Sequence, residues 1–415
     1  MNYLSQPMTA MRPLGSIEHM FWLKDLHMPY HFAVCAEIEG PTTVEAWRKA
    51  LDMVQRRHPN FRVKIELDQA GKPSFVYDPD ARISLRVVAS DNARWESEFG
   101  KEMGTPFDPQ KAPLVRNVLL HQARRSYLIV AAHHSIADTK SLVFAIRDAL
   151  KALAGESLDS LAPIDSFEAL LTRVARPNAD DAPREALAPA AAGKQDVFRT
   201  PDGSFPHIES LTLTSALTSE LRRRSRREET TVHGALIAAA AEATRQISSE
   251  LREATISVGS AIDARTMMGA GEDVALLSAG ASVSIEPHSR AFWETARLAK
   301  REIAPSQSAE AMFHMMESLE QVLADGPDAK TAADLMAGFR FDINISNLGV
   351  LPIETRFGAL TFKALWGPSI LAGFEGEQEI GVATVNGSLT LLHTSYRPLP
   401  SFLNLIEQRL IAACA

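Results

Sequence analysis

The stretch SYLIVAAHHSIADTKS, residues 126–141, joins an apolar run to two adjacent histidines and an aspartate. The run before the histidines has the composition of a strand that is buried on both faces of a sheet. In extended backbone, the rings of His133 and His134 point to opposite sides, so one can pack inward while the other enters a cleft. Leu142 and Ile146 continue at helical spacing after the aspartate. The sequence therefore predicts a strand, a short turn and a helix.

Three interpretations of these polar residues are open. His134 is suited to general-base chemistry, because imidazole titrates near neutral pH. Alternatively, Asp138 only N-caps a helix that begins at Thr139, and the histidines are ordinary strand-end residues. A metal site is the third interpretation. It is the least favoured, because adjacent strand residues diverge and the sequence has no second cluster such as H-E-x-x-H.

Length and composition limit the class of protein. The chain has 415 residues, which is more than a single hydrophobic core ordinarily organises, so two domains are expected. The net charge of -8 disfavours a nucleic-acid binder, which needs a basic face. No apolar run reaches the roughly 18 residues of a membrane helix. Small molecules or other proteins are therefore the expected partners.

The cysteines and the N-terminus indicate the compartment. Cys35 and Cys414 are the only cysteines, which excludes a disulfide framework and a thiolate zinc cluster. The N-terminal residues lack a basic segment followed by an apolar region and a small-residue cleavage site, so no secretory signal is predicted. We therefore expect a cytoplasmic location.

The hydrophobic pattern predicts an α/β fold of the α+β two-layer type, with two halves of similar size. Residues 1–160 form the predicted N-terminal lobe, and residues 206–415 form the C-terminal lobe. Ala, Pro and charged residues interrupt the periodicity between them, so residues 161–205 are predicted to be a linker or crossing loop. In the first half, a helix over residues 42–58 is predicted with Thr42 as its N-cap.

Strands and helices alternate in both predicted halves. Strands are predicted at 32–40, 61–67, 83–88, 114–120, 126–132, 207–213, 255–260, 281–285, 341–346, 358–365, 379–385 and 388–395. A helix is predicted at 231–247, and further helices lie between 290 and 338. MMGAGED, residues 267–273, is predicted to be a flexible loop.

Common covalent and nucleotide-binding motifs are missing. The sequence has no G-x-S-x-G elbow, S-x-x-K, G-x-x-x-x-G-K-[ST], or G-x-G-x-x-G after a strand. This disfavours α/β-hydrolase, β-lactamase, P-loop and Rossmann functions. A candidate base without a candidate nucleophile indicates direct attack of one substrate on another.

HHSIAD, residues 133–138, resembles the HHxxxDG motif of the superfamily that contains chloramphenicol acetyltransferase, nonribosomal-peptide condensation domains, plant BAHD acyltransferases and polyketide-associated acyltransferases. The chain is most similar to the polyketide-associated and standalone condensation-type members. Four further segments resemble this superfamily in the expected order: RPLGSIEHMFWL at 12–23, RRHPNFRVKI at 56–65, VGSAIDAR at 258–265 and ISNLG at 345–349.

The resemblance implies two chloramphenicol acetyltransferase-like lobes that form a V-shaped pseudo-dimer around a central channel. His134 would face the channel and deprotonate the acceptor, while His133 would be structural. Asp138 would support the loop through an ion pair with Arg265. The family usually has Gly after this aspartate, and Thr139 adds a Cβ and a hydroxyl, which puts the size of the acceptor in doubt.

The oxyanion of a tetrahedral intermediate needs hydrogen-bond donors. Ser346 and Asn347 are the candidates, and Asn344 is a weaker one; the same residues could instead only turn the chain. RRRSRR, residues 222–227, could contact a phosphopantetheine phosphate or an acidic carrier, or could be the solvated face of a helix that begins near Ser219.

These features together predict an acyltransferase. It would move an acyl group from a carrier-protein or coenzyme A thioester to a hydroxyl or amine, in polyketide, lipid or nonribosomal-peptide biosynthesis. An acyl or peptidyl carrier protein and a small alcohol or amine are the expected partners, with no metal and no bound cofactor. Two alternatives are open: an inactive condensation-like protein that docks carriers, and an unrelated two-domain enzyme in which Asp138 and Arg265 do not meet.

Overall fold

The computed structural model describes residues 10–88, 93–174, 198–287 and 290–415. The strands in these ranges are β1 Ala10–Pro13, β2 His31–Glu39, β3 Val63–Leu67, β4 Pro73–Tyr77, β5 Ser84–Val88, β6 Val115–Gln122, β7 Arg125–His133, β8 His207–Thr212, β9 Ile256–Asp263, β10 Ser278–Ile285, β11 Ile343–Val350, β12 Arg356–Phe357, β13 Leu360–Ile370, β14 Gln378–Val385 and β15 Ser388–Ser395.

The α-helices are α1 Ser16–His27, α2 Val44–Arg57, α3 Trp95–Met103, α4 Thr139–Leu153, α5 Phe167–Val174, α6 Ser215–Arg227, α7 Val232–Ile247, α8 Phe292–Ile303, α9 Ala309–Ala324, α10 Ala329–Ala337 and α11 Phe402–Cys414. None of the helices within the described ranges combines the length and apolarity that a membrane crossing requires.

The first large sheet has six strands in the order β12-β13-β2-β7-β6-β5. Its central strand β7 is buried from Leu128 to His133, as predicted for a strand covered on both faces. One face packs on α2 and α4 through a core that includes Trp47 and Leu142. A small sheet of order β1-β4-β3 lies in the same half of the chain.

The second large sheet also has six strands, in the order β10-β9-β11-β14-β15-β8. Its outer face packs on α7 and α11, with Ile345, Ile380 and Val382 in the core between them. Every residue of β14 is buried, because the opposite face of this strand packs against β13 of the first sheet. The predicted α/β fold with two lobes is confirmed.

The strand order corrects one feature of the predicted lobes. Strands β12 and β13 lie within residues 206–415, yet β13 pairs antiparallel with β2 in the first sheet, where Ser369 lies opposite Ala33. The chain therefore returns to the first sheet before it continues into β14. Pairing between strands so distant in sequence leaves no local signal.

Two further predictions need correction. Residues 167–174, inside the predicted linker, form helix α5, whose Phe167 and Leu171 are buried. Residues 175–197 of that linker lie outside the described residues. The N-cap of α2 is Thr43, whose hydroxyl accepts from the backbone of Ala46. Thr42 instead accepts a hydrogen bond from the indole of Trp47.

Candidate active site

His134 lies directly after β7 and is 5% exposed. Its Nδ1 is 3.1 Å from the carbonyl oxygen of Ala137. Because a carbonyl can only accept, Nδ1 carries the proton and Nε2 holds the free lone pair. No described residue hydrogen-bonds Nε2. The local turn thus fixes the tautomer that a general base requires.

Aromatic side chains surround the His134 ring. The ring centroids of Phe21, Tyr30 and Phe32 lie 4.9, 5.3 and 4.8 Å from that of His134. Burial among them lowers the pKa of His134 to about 4, against a weaker opposing effect of the Ala137 carbonyl. The imidazole is therefore neutral at physiological pH.

His133 points away from His134, as the extended backbone predicts. Its Nε2 lies 3.2 Å from Oδ2 of Asp25, at the C-terminal end of α1. Its Nδ1 accepts the backbone N–H of Ser135 at 3.2 Å. The side chain is fully buried. Both ring nitrogens thus face protein groups, a geometry suited to the predicted structural role.

Asp138 lies at the centre of the turn that follows the histidines. One carboxylate oxygen accepts from the backbone of Ser141 at 2.8 Å, so Asp138 caps α4, which begins at Thr139 as predicted. The same oxygen accepts from Nη2 of Arg265 at 2.7 Å, and the other accepts from the backbone of Leu277 at 3.1 Å. Asp138 therefore caps the helix and also pairs with Arg265, although the sequence analysis gave these as separate interpretations of this residue.

Arg265 joins the two halves of the chain. Nη1 donates to the carbonyl of Asp273 at 2.8 Å, and Nη2 donates to Ser141 Oγ at 2.7 Å. Glu272 in the same loop pairs with Arg147 of α4 and with Arg57. The loop predicted to be flexible is therefore held by three arginines.

The three predicted oxyanion donors all lie on β11 but have different surroundings. Asn344 donates from Nδ2 to Oε2 of Glu379 at 2.6 Å. Asn347 accepts the backbone N–H of Gly349 at 2.8 Å, which is the turn-forming alternative. Ser346 is 2% exposed, and its hydroxyl lies beside the carboxyl group of Glu379, where it opposes the effect of burial on the pKa of that group. Asn344 and Ser346 thus both face the carboxyl group of Glu379, whereas Asn347 turns the chain.

Sequence reasoning missed two buried ionisable side chains, Lys24 and Glu377, beside the aromatic residues. Lys24 of α1 donates to the carbonyl of Ala372 at 2.6 Å, and its amine lies 4.4 Å from the Tyr30 ring centroid. Burial lowers the pKa of Lys24 to about 8 and raises that of Glu377 to about 7. Glu377 accepts from the backbone of Ala372 and Gly373. Lys24 thus links α1 to the β13–β14 connection, which Glu377 stabilises from within.

The arginine-rich segment 222–227 lies in α6, which begins at Ser215 rather than near Ser219. Arg223 pairs with Glu220, and Arg224 pairs with Glu228. Arg222, Arg226 and Arg227 are exposed. The segment is therefore a solvated helix face, which was one of its two predicted roles. The other role, contact with a carrier or its phosphopantetheine, stays a prediction.

Comparison with known proteins agrees with this architecture. A family model described as Condensation domain matches residues 21–165. A linear gramicidin synthase of Brevibacillus parabrevis is 29% identical over 142 residues, which is 31% of this chain and 2% of that protein. The chain spans no more than about 4% of the length of the curated relatives shown to match it.

Solved structures resemble the chain over nearly its whole length. Polyketide synthase associated protein 5 from Mycobacterium tuberculosis superposes with a TM-score of 0.67 at 16% identity, covering 99% of both chains. Trichothecene 15-O-acetyltransferase from Fusarium sporotrichioides superposes with a TM-score of 0.66 at 11% identity, covering 97% of this chain and 94% of that one. The resemblance seen in the sequence is confirmed: residues 21–165 match the model described as Condensation domain, and the chain shares its two-lobed fold with these solved structures.

Proposed function

We propose that this protein is an acyltransferase in which His134 removes the proton of a hydroxyl or amine acceptor. The observation that carries the proposal is the hydrogen bond between Nδ1 of His134 and the Ala137 carbonyl. It leaves the lone pair of Nε2 free, and burial keeps the ring neutral. A neutral imidazole whose tautomer is fixed is ready to accept a proton.

The reaction needs no nucleophile from the chain. The proton of the acceptor moves to Nε2 while the acceptor oxygen or nitrogen attacks the thioester carbonyl carbon. Collapse of the tetrahedral intermediate breaks the carbon–sulfur bond, and the imidazolium returns the proton to the leaving thiolate. The products are an ester or amide and a free thiol. Orientation of two bound substrates and one base suffices for this chemistry.

The acyl donor is proposed to be a thioester on the phosphopantetheine arm of an acyl or peptidyl carrier protein, with acyl-coenzyme A as the other candidate. The condensation-domain match and the relatives named as peptide and polyketide synthetases support a carrier. Exposed Arg222, Arg226 and Arg227 offer positive charge to an acidic carrier.

The experiment is a transfer assay with a panel of acyl-loaded carrier proteins and acyl-coenzyme A thioesters. Each donor is mixed with alcohols or with amines, and products are identified by mass spectrometry. The proposal predicts an ester or amide that forms with the parent protein and not with His134→Ala. Tight carrier binding without product from any donor would instead support the competing function, carrier docking without chemistry.

A further inference from the structure

Asp25 lies in the last turn of α1, and both of its carboxylate oxygens face donors beside His134. Oδ1 accepts the backbone N–H of Tyr30 at 2.7 Å. Oδ2 lies 3.2 Å from Nε2 of His133. The side chain of Asp25 is 3% exposed, so both contacts lie in a region of low dielectric constant, where hydrogen bonds are stronger. Asp25 thus connects α1 to both chain segments that adjoin the His134 ring.

The contacts of His133 determine which of its ring nitrogens carries the proton. Nδ1 accepts the backbone N–H of Ser135, so Nδ1 holds a lone pair and the proton is on Nε2. That proton faces Oδ2 of Asp25. His134 carries its proton on Nδ1 instead, because Nδ1 faces the Ala137 carbonyl. The two adjacent histidines therefore have opposite tautomers.

The carboxyl group of Asp25 is ionised at neutral pH. Burial raises its pKa, but the hydrogen bonds from His133 and from the Tyr30 amide outweigh that effect and lower the pKa below its ordinary value. A carboxylate has two oxygens that only accept, which is what two N–H donors require. An amide side chain at this position would have one acceptor for the same two donors.

The contact with His133 acts on the turn that fixes the tautomer of His134. Ser135, whose N–H is held by His133, also donates from Oγ to the carbonyl of Glu18 in α1 at 3.0 Å. If the proton of His133 moved to Nδ1, it would meet the N–H of Ser135, and two donors would face each other. The turn would then shift, and with it the Ala137 carbonyl that holds the His134 proton.

The contact with Tyr30 acts on His134 from the other side. The carbonyl of Tyr30 accepts the backbone N–H of His134 at 3.3 Å. The ring centroids of the two residues are 5.3 Å apart. Oδ1 of Asp25 fixes the backbone of Tyr30 just before β2 begins at His31. One carboxylate thus holds two neighbours of the proposed base.

We propose that Asp25 is a positioning residue for the transfer reaction. It holds His133 in the Nε2–H tautomer and Tyr30 against the ring of the base, His134. The inference rests on the proposed function, because it takes His134 as the base. Loss of this support should slow the chemical step more than it weakens substrate binding, because a small displacement of a catalytic group lowers the rate.

Two substitutions, alone and combined, test the proposal through kcat and KM with a donor and acceptor that the parent protein uses. Asp25→Asn has a single acceptor for two donors. His133→Asn keeps an acceptor for the Ser135 N–H but is too short to reach Asp25. Asp148→Asn is the matched control, because Asp148 is also buried and lies 2.9 Å from the ring of another buried histidine, His58. Circular dichroism verifies that every variant is folded, and rates are measured well below the lowest melting temperature.

We expect Asp25→Asn to lower kcat about 10- to 100-fold and to leave KM within about threefold of the parent. His133→Asn should lower kcat by a similar factor. Adding Asp25→Asn to His133→Asn should cost less than about threefold more, because only the Tyr30 donor is left and the amide oxygen accepts from it. Asp148→Asn should lower the melting temperature and leave kcat unchanged.

The ring tautomers are measured without any substrate, by nuclear magnetic resonance of the parent labelled with ¹⁵N at histidine. His133→Asn and His134→Gln identify the two signals by their loss. The proposal predicts a proton on Nε2 of His133 and on Nδ1 of His134. A proton on Nδ1 of His133 overturns it.

The outcomes separate the inference from the function on which it rests. A folded Asp25→Asn protein with the kcat of the parent, or with a change in KM alone, overturns the inference. So does a double variant in which the two losses of kcat multiply, since Asp25 would then act independently of His133. If Asp25→Asn does not fold, His133→Asn decides, and a kcat near that of the parent overturns the inference. A parent protein that forms no product overturns the proposed function, and the tautomer of His133 then decides the inference by itself.

Discussion

Arg265 donates from Nη2 to Oδ1 of Asp138 across 2.7 Å, although the two residues are 127 positions apart in the chain. Both side chains are buried. Asp138 also caps α4 and directly follows Ala137, whose carbonyl holds Nδ1 of His134. Arg265 therefore acts on His134 indirectly, by holding the turn that fixes the imidazole tautomer.

Asp138→Ala should lower the free energy of unfolding by about 3–5 kcal/mol, because Arg265 is left buried without its anion. Urea denaturation measures the loss. Lys140→Ala is the matched control: it removes the partly exposed pair with Asp263 and should cost about 1 kcal/mol or less. A double variant that combines Asp138→Ala with Arg265→Met should recover part of the lost free energy of unfolding. An Asp138→Ala protein as stable as the Lys140→Ala control would contradict this role.

The rate of transfer should be insensitive to His134 ionisation near neutral pH. Burial lowers the pKa of His134 to about 4, and only the neutral ring can accept a proton. kcat/KM should therefore fall only as the pH drops through about 4, and His134 should cause no change between about pH 6 and about pH 8. The measurement is a pH profile with a neutral alcohol acceptor. An acid limb centred near 6.5, the ordinary histidine value, would count against this assignment.

Glu379→Gln should change how stability depends on pH. The folded-state pKa of Glu379 is raised above its ordinary value of 4.5 by burial. As the pH rises, the unfolded chain therefore loses this proton before the folded protein does. The contribution of Glu379 to stability is fully present below about pH 4.5 and is lost as the pH rises through the folded-state pKa. Without a titrating group, the variant should lose less stability between about pH 5 and about pH 8. If the stability of Glu379→Gln falls with pH in parallel with that of the parent and of an exposed control, Glu302→Gln, the raised pKa of Glu379 is contradicted.

The sequence predicts the parts of the site that are local or carried by the family resemblance. The strand, the two diverging histidines and the helix start at Thr139 follow from a few adjacent residues. The Asp138–Arg265 pair comes from the resemblance of two separate segments. Lys24 and Glu379 could not be predicted, since their roles depend on how strands from distant parts of the chain align. The pairing of β13 with β2 is nonlocal in the same way.

A carrier-bound acyl chain should be a better donor than the same chain on coenzyme A. A carrier adds protein contacts that raise the local concentration of the thioester, whereas coenzyme A relies on its nucleotide for affinity. The comparison is kcat/KM for one acyl group presented both ways, with the His134→Ala rate subtracted. Replacing Arg222, Arg226 and Arg227 by Gln should weaken only the carrier reaction if this face binds the carrier. Equal or better use of coenzyme A would exclude the carrier preference and leave the transferase function standing.

The most direct test of the account is the single-turnover rate of His134→Ala with a donor and acceptor that the parent protein uses. The rate should fall about 100-fold or more, because no other described group occupies the position of the base. His314→Ala is the control: that histidine lies on α9 beside Glu317, and its removal should leave the rate unchanged. Thermal unfolding verifies that both variants are folded. A folded His134→Ala protein that transfers the acyl group at nearly the parent rate would contradict the central claim that His134 is the general base.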